Sequence, residues 1–260
     1  MPAAEFAVSG LSGADLGIEV STVSPGEAMH LLRAGELDVA LVPTLNLILD
    51  PEGLEVLPAV ALSAWHYPYA RIHLPESLTS HPDRISFVPE FVQEALMARV
   101  ILREHYAMNP EFVAVPPHAL ETADGARLII GRNVPDQRLP GLSVDLGEEW
   151  FELANYPMVW GVFAMRAGEA DADTVDRFRT MIERSETLRS RWADSKDHSE
   201  SMRHFFEEDI RLRFDDLALA CITELMDHAF FYELTDEIRD FPMARIESRD
   251  HDDSGQELHL

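Results

Sequence analysis

Apolar positions recur at two periods along the chain, and the period changes with position. Ile18-Glu-Val-Ser-Thr-Val23 alternates and predicts a strand. Ser24-Pro-Gly-Glu27 follows as a helix start. The serine suits a cap, the proline suits the first helical position, and the glutamate three residues on completes a capping box. The predicted helix Pro25 to Ala34 ends at Gly35, and Asp38-Val-Ala-Leu-Val-Pro43 is an apolar run of the kind buried in a parallel sheet. Strand, helix and strand within about 25 residues predict a βαβ unit with a right-handed crossover.

The middle third repeats this plan. Ile85-Ser-Phe-Val88, Phe112-Val-Ala-Val115, Leu128-Ile-Ile-Gly131 and Leu142-Ser-Val-Asp-Leu146 read as strands. Pro89 to Tyr106 reads as a long helix and Gly147 to Leu153 as a short one. Two long apolar stretches, Leu54 to Trp65 and Pro157 to Met165, are each expected to cross between two lobes. Beyond them the period is helical. Val175, Phe178, Ile182, Leu188 and Trp192 share one face of a helix from about Thr174. Ala218, Cys221, Ile222, Leu225 and Ala229 share another, and polar Asp250 to Leu260 is expected to fray. The expected fold class is therefore α/β: two lobes, two interlobe crossings, a helical C-terminal part, and a ligand cleft at the hinge.

Charge narrows the function classes. The 260 residues hold 47 acidic and 21 basic side chains, a net charge of −26, and Lys196 is the one lysine among the basic residues. That field repels phosphate backbones and anionic lipid heads, so neither nucleic acid nor membrane is an expected partner. With 46% hydrophobic residues the charge does not signal disorder. Acidity with almost no lysine fits a salty cytoplasm, and fits equally an acidic protein from a high-GC genome. The N-terminus lacks a basic, apolar leader pattern, and the longest nearly apolar run, Val39 to Leu49, is 11 residues long and interrupted by Pro43, Thr44 and Asn46. A cytoplasmic location is expected. A single cysteine, Cys221, excludes an intramolecular disulfide and a multi-thiolate zinc site.

Generic catalytic motifs are absent: no P-loop, no Gly-x-Gly-x-x-Gly, no Gly-x-Ser-x-Gly. His198, Glu200 and His204 come nearest to a metal cluster, but a solvated helix face is the favoured reading, and no metal or organic cofactor is expected. Asp171-Ala-Asp-Thr-Val-Asp176 reads as a helix cap rather than a calcium loop, and Cys221 as a buried thiol rather than a nucleophile. Glu148 and Glu149 read as stabilising a helix N-terminus rather than as an acid–base pair.

Longer strings are more specific. Leu31-Leu-Arg-Ala-Gly-Glu-Leu-Asp-Val-Ala-Leu-Val-Pro43, Val144-Asp-Leu-Gly-Glu-Glu-Trp150 and Tyr156-Pro-Met-Val-Trp-Gly-Val-Phe-Ala164 occur in this order, and Arg103-Glu-His-Tyr106 is followed by Pro110-Glu-Phe-Val113. Over roughly residues 15 to 235 the chain resembles the menaquinone-biosynthesis family of the futalosine route, and within it the chorismate dehydratases. The resemblance implies a two-lobed fold like the type II periplasmic binding proteins. It also implies cytoplasmic elimination of water from chorismate, giving 3-[(1-carboxyvinyl)oxy]benzoate without metal or organic cofactor. It places lobe one at 1–65 plus 157–250 and lobe two at 66–156.

Departures fall on pocket strings. The family's Ser-Tyr-Leu-Asn has no counterpart beyond Ala7-Val-Ser-Gly10. Its Gly-Pro-Val-Arg-Ser becomes Tyr67-Pro-Tyr-Ala-Arg71, the hydroxyl-rich helix start becomes Val88-Pro-Glu-Phe-Val92, and Ile-Gly-Asp becomes Ile130-Gly-Arg132. The expected ligand-binding residues are Thr44, Tyr69, Arg71, Arg132 and Asn133, around a small carboxylated molecule such as chorismate. The two arginines supply positive charge, with a surface salt bridge as the alternative for each. Met158 and Trp160 are expected in the core rather than on a ligand wall. No residue stands out as the base. The alternative function is a non-catalytic binding protein, or a paralogue with a different carboxylated ligand on the same scaffold.

Overall fold

The computed structural model describes residues 2–11, 16–78, 81–121, 124–195 and 198–246; Lys196 and the tail expected to fray lie outside them. The chain opens with α1 (Pro2–Ala7), whose Ala3, Phe6 and Ala7 are buried. Residues 17–24, expected to begin with a strand, have no regular structure. Ile18 packs against one hydrophobic cluster and Val23 against another, while Val20 is exposed, so the alternating residues never share a face. The βαβ unit is therefore not formed.

The helix after it is formed as expected. In α2 (Pro25–Ala34) the Ser24 hydroxyl accepts from the Glu27 N–H, the Glu27 carboxylate accepts from the Ser24 N–H, and Gly35 closes the helix at a left-handed φ of 75°. Next come β1 (Val39–Pro43), α3 (Thr44–Leu49), β2 (Leu54–Ala64), β3 (Ala70–Pro75), β4 (Arg84–Phe87) and α4 (Val92–Val100). A π-helical turn extends α4 to His105, and β5 (Glu111–Ala114), α5 (Pro117–Glu121), β6 (Arg127–Ile130), β7 (Gly141–Asp145) and α6 (Leu146–Ala154) follow. The last part holds β8 (Met158–Arg166), α7 (Ala172–Thr187), α8 (Arg189–Ala193), α9 (Glu200–His204), a second π-helical turn (Phe205–Asp209), β9 (Ile210–Leu212) and α10 (Asp216–Phe231).

The strands form two sheets, ordered β1-β8-β2-β9 and β5-β4-β6-β3-β7. Every pairing in the first is antiparallel, which corrects the parallel setting expected for Asp38–Pro43: with residues 17–24 outside the sheet, β1 pairs only with β8. In the second, β4 runs parallel to β5 and β6, and β3 antiparallel to β6 and β7. The register of β2 shifts between Val56 and Ala61, where Pro58, unable to donate a ladder bond, is accommodated. Asp171 caps α7 by accepting from the Thr174 N–H, but the helix stops at Leu188 and Trp192 belongs to α8, not to one continuous helix. The α10 face is buried as expected, and burial pushes the Cys221 thiol up to about 11. One hydrophobic cluster runs through both sheets, joining Phe6, Leu45, Tyr69, Trp150, Trp160 and Phe205; a second packs α2 and α10 on the first sheet.

Candidate functional site

The apolar stretches expected to cross, Leu54–Trp65 and Pro157–Met165, instead form β2 and β8, paired within the first sheet; the chain passes between the sheets beside them, at residues 65–69 after β2 and at 155–157 after α6, where Asn155 in the left-handed region (φ 59°) ends the helix. Aromatic rings fill the seam between these passages. Tyr67 stacks on Trp160 with ring centres 3.8 Å apart and meets Tyr69 edge-on at 5.5 Å; Phe205 packs against both tyrosines. Met158 and Trp160 are both buried.

A polar bridge crosses the same seam. Gln93, in the first turn of α4, is 1% exposed; its Oε1 accepts from the Leu45 N–H at the start of α3, and its Nε2 donates to the Val159 carbonyl at 3.1 Å. Buried donors without a protein partner include the Thr44 hydroxyl and the Trp160 indole N–H, next in sequence to the residues Gln93 holds, and the Tyr69 hydroxyl in the first passage. Each such group costs roughly 1–3 kcal/mol if left unsatisfied. Glu94, next to Gln93 and facing Tyr67, is half-buried. Loss of hydration raises its carboxyl to about 7, its own N–H pulling the other way and Glu90 adding to the rise. Burial, opposed by the charge of Arg132, holds the Tyr69 phenol above its usual range.

Of the residues expected to bind ligand, Thr44, at the start of α3, and Tyr69, in the first passage, are both 0% exposed. Arg71 lies on β3 opposite Asp145 and Ile129 in register, half-buried and without an ion-pair partner among the described residues. Arg132 is exposed and paired with Glu5 of α1, and Asn133 is exposed in the turn after β6. That turn still touches the seam, because the Gly131 N–H donates to the Tyr69 carbonyl. Phe6 of α1 packs on Trp192 and Phe206, so α1 caps the seam at the Tyr69 end.

The first passage also carries a charged triad. His66 Nε2 lies 3.2 Å from Asp145 Oδ2, and His66 Nδ1 lies 3.2 Å from Asp209 Oδ2. The other Asp145 oxygen accepts from the N–H groups of Tyr67, Gly147 and Glu148, so Asp145 both caps α6 and fixes the passage. Burial raises the Asp145 carboxyl, partly offset by His66.

Sequence reasoning passed over Gln93, Glu94 and this triad. Its metal candidate is not assembled: His198 stacks on Phe206, and His204 is exposed. The described residues instead bring His105, Glu149 and Glu152 together, their ligand atoms within 4.8 Å of one another, with Glu149 also accepting from the Tyr106 hydroxyl at 2.7 Å. Both glutamates lie on α6, and Glu148 and Glu149 stand in its first turn as the sequence implied. One cavity lies between α3 and residues 234–242 and another beside residues 74–78 and 81–82, both away from the seam. No helix among the described residues is long and apolar enough to cross a membrane.

Known proteins with similar structures share the two-lobed architecture. Protein AF1704 from Archaeoglobus fulgidus matches with a TM-score of 0.66 at 18% identity, over 90% of this chain and 95% of that one. The periplasmic aliphatic sulphonate binding protein SsuA from Escherichia coli matches with a TM-score of 0.65 at 11% identity, over 93% and 85%. The Candida albicans CA3427 gene product, described as having the generic periplasmic binding protein fold, matches at 0.58 and 10% identity over 95% and 96%. At these identities the likeness shows the fold alone. No curated protein matches the sequence. The family model described as menaquinone biosynthesis matches residues 2–230, nearly the whole chain. With a two-lobed fold and a polar seam between its sheets, the chain belongs to the menaquinone-biosynthesis family.

Proposed function

We propose that the protein acts on a small carboxylated ring at the interlobe seam, and that its reaction is the elimination of water from chorismate to give 3-[(1-carboxyvinyl)oxy]benzoate. One observation carries this reading: buried donors without protein partners (Thr44, Tyr69 and Trp160) lie along the two passages and the adjoining strand ends, and Glu94, in the first turn of α4, has a carboxyl raised to about 7. An anionic ligand would satisfy such donors, which in a low-dielectric seam interact strongly with a carboxylate. The guanidinium of Arg71, two residues after Tyr69 and without an ion-pair partner among the described residues, supplies positive charge for such a ligand in a protein at −26. Elimination needs a base for the ring C–H and a donor for the departing hydroxyl. A carboxyl titrating near neutrality is matched to the first task and a buried phenol or hydroxyl to the second.

Purified protein incubated with chorismate should lose one water per turnover, followed by mass spectrometry. Glu94→Gln should lower kcat by about 10²–10⁴-fold while chorismate binding persists. Wild-type protein that binds chorismate without turnover would support the second reading, a non-catalytic binding protein. Gln93 favours that alternative, because its side chain already occupies the Leu45 N–H that a ligand would otherwise use.

A further inference from the structure

The passage at residues 65–69 joins the sheets through His66, and the two aspartates flanking His66 come from opposite sides of the seam. Asp145 ends β7 of the second sheet; Asp209 ends the π-helical turn that leads into β9 of the first. Each lies 3.2 Å from a different ring nitrogen. A neutral imidazole has one N–H and one lone pair, so it can donate to one aspartate while turning its lone pair on the other. The imidazolium donates to Asp209 and holds Asp145 by charge, since Asp145 Oδ2, 3.2 Å from Nε2, has no hydrogen-bond partner.

We propose that His66 is a proton-operated latch on the seam: the imidazolium ties Asp145 to Asp209 and holds the lobes together, and loss of its proton releases one aspartate so that the seam can open. This rests on the seam being the ligand site, because opening would expose Thr44, Tyr69 and Trp160. Charged groups face the ring from both sides of the seam. From β7 and α6 come Asp145 and Glu148; from the π-helical turn comes Asp209, whose Oδ2 also lies 3.9 Å from Nε2 of the exposed His204; from β9, Arg211 lies over Trp65 and pairs with Asp215. Carboxylates therefore dominate around the ring. Burial works against the charged form, but the hydrogen bond to Asp209 and the charges of Asp145, Asp209 and Glu148 outweigh it, so His66 titrates above its usual value. The sign follows: the latch is fully engaged below about 6.5 and is lost as pH rises through the raised value of the closed form.

The test follows the His66 ring protons by NMR across pH 5.5–9 at fixed ionic strength, together with amide-exchange protection at Leu45, Tyr67 and Gly147, corrected for the intrinsic effect of pH. His66 should titrate above 6.5. Seam protection should fall as it deprotonates, on the order of tenfold for each unit by which the closed-form value exceeds the open-form value. Asp209→Asn should lower the His66 midpoint, and His66→Gln should show the low protection at every pH. A wild-type midpoint at or below 6.5 would overturn the latch, as would the same pH dependence persisting in His66→Gln. If His66→Gln does not fold, the wild-type titration and Asp209→Asn decide. Turnover is not a readout, so a failed chorismate assay and a failed latch are separate outcomes.

Discussion

Glu94 holds two opposing consequences in one carboxyl. An acid raised from its usual 4.5 to about 7 is bound to its proton more tightly in the folded chain than in the unfolded one. Between those values stability therefore falls as pH rises, and above about 7 the full penalty of a partly dehydrated carboxylate remains. Glu94→Gln keeps the shape and removes the charge. The variant should be more stable than wild type by about 2 kcal/mol at pH 8 and no more stable at pH 4, as urea unfolding at the two pH values would show. Equal stabilities at pH 8 would mean that the carboxyl is hydrated and unsuited to the proposed base. Stability gained where turnover is lost would mark a group kept for chemistry. Neither Glu94 nor Gln93 was legible beforehand, because both look like ordinary polar residues in the first turn of an amphipathic helix. Only the fold places the Leu45 N–H and the Val159 carbonyl against Gln93. Thr44 was reached from its place directly after a buried strand and Tyr69 from the altered pocket strings; their lack of protein partners is a tertiary fact.

Elements were legible where local chemistry decides them. The capping box of α2, the aspartate cap of α7 and the buried face of α10 all follow from residues a few positions apart. Strand pairing is not local, and Ile18–Val23 shows why: alternation prepares a segment for a sheet but supplies no neighbour, and this segment's apolar residues go to two different clusters. The six-residue α1 carries no periodicity worth reading, yet it caps the seam. Its docking depends on Gly10, whose N–H donates to the Ser185 hydroxyl at 2.9 Å while that hydroxyl donates to the Ala7 carbonyl. A Cβ on Gly10 would overlap the Met181 carbonyl and lie 2.8 Å from the Ser185 nitrogen, both backbone atoms of α7. Gly10→Ala should therefore lift α1 away at a cost of roughly 1–3 kcal/mol. Exchange at residues 3–10 should rise first, and the ion pair between Glu5 and Arg132 should be lost with it. Unchanged protection in α1 would mean that Phe6 alone anchors the helix.

At the scale of the whole molecule the ion pairs cannot balance the charge. If each of the 21 basic side chains paired with a different carboxylate, 47 less 21, or 26, acidic groups would still be uncompensated. Many of the pairs present are exposed, such as Arg84–Glu111 and Arg239–Glu237 with all four side chains more than 60% accessible. Exposed pairs contribute about 0–1 kcal/mol each, and salt weakens them. The same salt weakens repulsion among the surplus carboxylates, and that repulsion acts over the whole folded surface. It is relieved when the chain expands, so it bears on the folded state more than on the unfolded one. Raising salt from about 0.1 M to 1 M shortens the screening length from about 10 Å to about 3 Å, less than the spacing of most surface charges. Loss of repulsion should outweigh loss of pairing, and Tm should rise steadily with KCl at pH 7.5. Calorimetry at several salt concentrations checks this. A Tm that falls with KCl would mean that the arginine pairs, few as they are, contribute more than the surplus of carboxylates costs. NaCl and KCl should act alike if screening is the cause, whereas sulfate salts should add a further rise through exclusion from apolar surface.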